Sequence, residues 1–88
     1  MHETGLVRRL VEAARTIAAA EGGGRILEVG VKVGALTGLS PDHLREHWEL
    51  EASACGLAGA TLRVTPSDDP TDVDATGVIL EWVELRQA

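Results

Sequence analysis

The residues best suited to chemistry stand at the start of the chain: Met1, His2 and Glu3. A histidine in second place puts a terminal amine, a backbone amide and an imidazole within reach of one point. Nitrogen donors in such a near-planar array suit Ni(II) or Cu(II) better than tetrahedral zinc. A bulky second residue disfavours removal of the initiator, so Met1 is expected to keep the amine. Glu3 adds a second peptide nitrogen and a carboxylate. Most chain termini are frayed and take no part in function, so the triplet alone does not establish a site.

Three other groups invite the same question. His43-Leu44-Arg45-Glu46-His47 matches the H-x-x-E-H pattern of inverted zinc peptidases, and histidines four apart on a helix share a face. A peptidase also needs a third ligand and a cleft, which nothing here supplies. The two histidines are expected at the edge of a helix–sheet contact, beside Leu44 and Trp48. Asp68, Asp69, Asp72 and Asp74 lack the glycine, the glutamate and the spacing of a calcium-binding EF-hand loop, and read as a solvated turn. Cys55 is the single cysteine, so neither an intrachain disulfide nor a cysteine zinc site can form. With no nucleophile–base pair and no phosphate-binding glycine loop, the chain is not expected to be an enzyme.

Composition narrows the partners. Eight Lys and Arg stand against 14 Asp and Glu, a net charge of −6 that disfavours nucleic acid or an anionic membrane as partner. The amino end lacks an apolar signal core, and no apolar run approaches the ~18 residues of a membrane span, so a soluble cytoplasmic protein is expected. Eighty-eight residues make a single domain, 1–88. Its core must be built almost without aromatics, since Trp48 and Trp82 are the only two.

Leu6, Val7, Leu10, Val11, Ala14, Ile17 and Ala18 recur at three- and four-residue steps, predicting a helix over about 5–21 with Thr4 as its N-cap. Gly22-Gly23-Gly24 ends it. Residues 25–34 alternate as a strand with Leu27, Val29, Val31 and Val33 inward. Ser40 then caps a second helix, with Pro41 in its first turn, a Leu44/Trp48/Ala52 stripe and Gly56 as the stop. Residues 60–66 form a second strand with Leu62 and Val64 inward. Residues 77–85 form a third, in one of two phases: Val78, Leu80 and Trp82 all inward, or a bulge that switches the phase to Val83 and Leu85.

The order α-β-α-β-β with one-sided elements predicts an α/β two-layer sandwich, two helices on one face of a three-stranded mixed sheet. A right-handed crossover is expected between the first two strands, and the acidic stretch is expected to close a long hairpin between the last two.

Several of these residues together resemble a known family. They are Met1-His2-Glu3 directly ahead of an amphipathic helix, the strand Leu27-Glu28-Val29-Gly30-Val31-Lys32-Val33-Gly34 running into Ala35-Leu36-Thr37-Gly38-Leu39-Ser40-Pro41-Asp42, the helical Trp48-Glu49-Leu50, and Gly59-Ala60-Thr61-Leu62. The chain resembles the HypA/HybF family of hydrogenase nickel-insertion proteins over about 1–66, and more weakly over 77–85.

The resemblance implies a metallochaperone that delivers Ni(II) to the large subunit of [NiFe]-hydrogenase together with a partner GTPase. Its nickel ligands would be the Met1 amine, backbone nitrogen near His2 and Glu3, and the His2 ring. Some members add an acidic ligand in the loop that opens the second helix; here Ser40 takes that place, with Asp42 two residues on. Family members also carry a zinc-binding subdomain with two CxxC pairs between the last two strands. This chain has only the short acidic loop 67–75 there, so no structural zinc is expected. The alternative is a protein-interaction or scaffold module that keeps the fold without handling metal.

Overall fold

A computed structural model describes residues 3–87, with side chains from Gly5 onward. Its elements are α1 (Glu3–Ala20), β1 (Arg25–Val33), α2 (Pro41–Ala54), β2 (Thr61–Pro66) and β3 (Val78–Arg86). Both helices pack on the sheet, and the core lies between the layers. The expected two-layer α/β sandwich is the fold observed.

In α1 the apolar stripe does what its spacing demands: Val7, Leu10, Val11, Ala14 and Ala18 are buried, with Leu6 packed at the margin. The helix already includes Glu3, so Thr4 lies inside it and not at its cap. It ends in a Schellman turn, with Gly23 N donating to Ala18 O at 2.8 Å and Gly22 N to Ala19 O at 3.2 Å. Gly22 holds the positive φ this turn requires, 92°. In α2 the Ser40 side chain accepts from His43 N, Pro41 opens the helix, and Leu44, Trp48 and Ala52 are the buried stripe. Trp48 is fully enclosed and donates its indole N–H to Ala60 O at 2.9 Å.

The sheet order is β2-β1-β3, with β1 parallel to β2 and antiparallel to β3. The hairpin expected between β2 and β3 therefore does not form. β1 lies between them, and the acidic stretch reaches across its end to the opposite edge. The centre of the sheet goes to β1 because it has the richest apolar face, with Val29, Val31 and Val33 all buried.

Two bulges set the phase of the β1–β3 ladder. Ile26 pairs with Leu85 but Glu28 with Glu84, so Leu27 is the extra residue on β1. Ile26, and not Leu27, therefore takes the buried place at the start of β1. Gly30 pairs with Trp82 but Val31 with Leu80, so Glu81 is the extra residue on β3. The second of the two phases predicted for β3 is the one adopted. Val78, Leu80, Val83 and Leu85 pack against the core, while Trp82, 39% exposed, lies over Gly30 on the outer face.

Candidate functional site

α1 runs into β1 through the glycine turn, so its first residues return to the end of the sheet where β1 finishes. That end is a crowded pole. Gly34 N donates to Gly77 O at 2.9 Å, Leu36 N to Ala75 O at 2.8 Å and Ser67 N to Val33 O at 2.8 Å. These bonds tie the 34–40 loop to the 67–77 loop, and α2 starts from the same place. An open groove of about 620 Å³ lies between Leu6 and Leu10 of α1, Leu36 and Leu39 of the loop, and Val78 and Leu80 of β3. Its lining is largely apolar, with Arg9 its one charged residue, and it holds no acid–base pair.

Of the predicted nickel ligands, Met1 and His2 lie outside the described residues, and Glu3 is described only as the backbone that opens α1. The first four amides of a helix have no intrahelical acceptor, so the Glu3 nitrogen is not tied into the helical ladder. Ser40, at the place where some family members have an acidic ligand, is occupied as the α2 cap. The Asp42 carboxylate pairs with Arg45 one turn further on.

The register of the two helices follows from two contacts. Arg8 Nε meets Glu51 Oε2 at 3.0 Å, and Arg15 Nη1 donates to Cys55 O at 3.2 Å. Residue numbers rise together along the pair, so α1 and α2 run the same way with both starts at the pole. On α2, His43 is exposed and His47 half-buried beside Leu44 and Trp48, at the margin where the sequence places them. Among the described residues no three His, Cys, Asp or Glu are grouped to hold a metal ion, which leaves the peptidase pattern without its third ligand. Cys55 packs partly buried against the core.

The aspartates of the acidic loop are largely occupied within the protein. Asp69 Oδ1 accepts from the Thr71 hydroxyl at 2.6 Å and the Thr71 amide at 2.9 Å, and these donors hold its carboxyl below the usual range. Asp72 Oδ1 accepts from Asp74 N at 2.9 Å, and Asp72 Oδ2 from Lys32 Nζ at 3.2 Å. The Asp74 amide first, and the ammonium second, lower the Asp72 carboxyl; Asp72 in turn raises Lys32. This latch between β1 and the loop was not anticipated from the sequence. Lys32 stands between the buried Val31 and Val33, and a cation in that setting was the available signal.

A family profile described as hydrogenase/urease nickel incorporation, metallochaperone, hypA, matches residues 1–70. The chain belongs to the HypA family. That description is of a metallochaperone and not of an enzyme, and the family is the one its residues resemble. Two proteins named hydrogenase maturation factor HypA, from the J-10-fl and Y-400-fl strains of Chloroflexus aurantiacus, are each 39% identical to it over 62 residues. The aligned stretch is 70% of this chain and 54% of theirs, so the chain spans about half the length of the curated relatives it matches. A structure titled "Solution structure of HypA protein" superposes with a TM-score of 0.74 over 98% of this chain and 97% of that one. At 16% identity, that likeness establishes the HypA fold. Among the described residues, no helix is long and apolar enough to cross a membrane.

Proposed function

We infer that this HypA-family chain is a nickel-handling accessory protein of [NiFe]-hydrogenase maturation, and that it holds Ni(II) through Met1, His2 and Glu3. The terminal amine, peptide nitrogens and the His2 imidazole form a nitrogen set that favours planar Ni(II) over tetrahedral zinc. Nickel here is cargo. Protonation of the amine and imidazole, or a competing ligand on a partner, releases it. The receiving partners are the hydrogenase large subunit and a maturation GTPase, and the setting is the cytoplasm.

The observation that carries this reading is that the family match begins at residue 1 and so includes the triplet. It is supported by the start of α1 at Glu3, which leaves that amide nitrogen outside the helical hydrogen-bond ladder. In the same reading residues 1–88 work as one nickel-binding domain, with the acidic loop 67–75 in place of the family's zinc subdomain. Calorimetry on tag-free protein is the test, because any extension at the amino end masks the amine. Wild type is expected to bind nickel and His2→Ala to lose most of that affinity; equal affinity in the two removes the site. Metal analysis of the same preparation is expected to find no stoichiometric zinc.

A further inference from the structure

We propose that the outer edge of the chain over 76–80, where β3 begins, is a docking strip for an extended segment of a partner protein that alternates apolar and basic residues. The inference stands apart from the amino-terminal site and rests on the sheet. β3 is paired on one side only, by β1, so its other side is an open strand edge. Gly34 N donates to Gly77 O at 2.9 Å, which makes these two a hydrogen-bonded pair of the ladder. Bonded and unbonded pairs alternate in an antiparallel ladder, so Lys32 and Ile79 are the next bonded pair. Val78 and Leu80, on either side of Ile79, therefore turn their N–H and C=O groups away from β1.

The groove of about 620 Å³ opens beside that same edge. Val78 and Leu80 line it from the sheet, and Leu6, Leu10, Leu36 and Leu39 form its apolar walls. Outward backbone groups and an apolar trough thus meet at the same two residues, and the combination selects the form of the ligand. A docked helix has its own backbone bonds already made. It would cover the edge and leave the N–H and C=O groups of Val78 and Leu80 without partners, which is costly away from water. An added strand bonds to them and sends every second side chain into the groove.

The outer face of the sheet sets the rest of the segment. Its intervening side chains emerge there beside Ile79 and Glu81, both exposed, with the exposed Glu84 beyond. These carboxylates, on a chain of net charge −6, favour Lys or Arg at the intervening positions. A second copy of this chain is the wrong occupant by the same rule, since pairing two β3 edges would set these carboxylates against one another. The bulge at Glu81 interrupts the ladder, so the strip is about five residues long, roughly 17 Å, which suits a transient partner.

Amide NMR of the isotope-labelled chain, titrated with a capped hexapeptide of alternating valine and lysine, reads the strip directly. The Val78 and Leu80 signals are expected to move most, and their exchange with solvent to slow. Leu36→Ser removes one wall of the groove at an exposed position and should weaken binding roughly tenfold, the worth of a leucine side chain taken out of water. N-methylating the peptide at its valines or at its lysines removes the donors along one side, and one of the two should abolish binding. Equal binding by both methylated peptides overturns strand addition, and equal binding by a valine–glutamate peptide overturns the basic requirement. Absence of any shift at Val78 and Leu80 overturns the docking strip itself. So does a free chain that sediments as a dimer with both amides already protected, because a second copy then holds the edge.

Discussion

Gly30 and Gly34 lie on the same run of chain, yet they are required for different reasons. A Cβ at Gly30 would meet the Trp82 indole at 2.1 Å, and at Gly34 the Ala75 backbone oxygen at 2.3 Å. The indole is a half-exposed side chain that can swing aside, whereas the loop backbone is pinned by two bonds to residues 34 and 36. Gly34→Ala is therefore expected to cost clearly more stability than Gly30→Ala, with chemical denaturation comparing the two. Trp48→Phe keeps most of the apolar volume but leaves Ala60 O without its indole donor, for a loss of about 1–3 kcal/mol. Lys32 and Asp72 make a prediction about pH. The folded-state carboxyl of Asp72 is lowered, so its contribution is fully present above about pH 4 and is lost as pH falls through the folded value. Lys32 is raised, so its contribution is present below its unfolded value near 10.5 and is lost as pH rises through the folded one. A Lys32→Met variant should accordingly be less stable than wild type at neutral pH, with the gap closing in strong acid. A gap that persists unchanged at pH 2 would contradict the ion pair as its source.

The helices show what a sequence states openly. An apolar stripe at three- and four-residue steps and a Ser-Pro start are local signals, and α1 and α2 formed where those signals stand. Ser40→Ala is expected to cost about 0.5–1 kcal/mol, seen as a lower denaturation midpoint with unchanged slope. The low end is the apt one, because the capping contact to His43 N is long at 3.5 Å. Strand phase was less legible, since a bulge is defined by the partner strand and not by its own residues. Leu27 reads as the first inward residue of an alternating run until its pairing with β3 is known. The hairpin expected between β2 and β3 failed for a similar reason: local sequence does not say which strand takes the central place. Deleting Glu81 tests the bulge. Without it Val78, Leu80, Val83 and Leu85 alternate regularly on one face, so the variant should still fold cooperatively, within about 1–2 kcal/mol of wild type. Loss of folding would count against the assignment. The candidate site was legible only as residue types at the amino end. The packing of α1 beside α2 depends in part on Arg8 meeting Glu51, 43 residues away, and no local pattern announces such a pair.

At the scale of the molecule, chemistry-bearing residues gather at one pole: the first turn of α1, the histidines of α2 and the acidic loop. The opposite pole has the glycine turn and the end of β3. Because Pro66 and Val78 both pair with Val33 from opposite sides, the ends of the connecting loop stand two strand spacings apart, about 10 Å. Eleven residues cover a gap that three or four extended ones could span. Doubling such a loop costs only about 0.6 kcal/mol in closure entropy. A glycine–serine stretch of a dozen residues placed between Ser67 and Asp68, ahead of the Lys32 latch, should thus shift the denaturation midpoint little. The crossing from one rim of the sheet to the other is in effect a splice port, where a foreign module can be stitched in or cut out while the scaffold stays put. Whatever is stitched there emerges at the pole of the molecule where α1 begins.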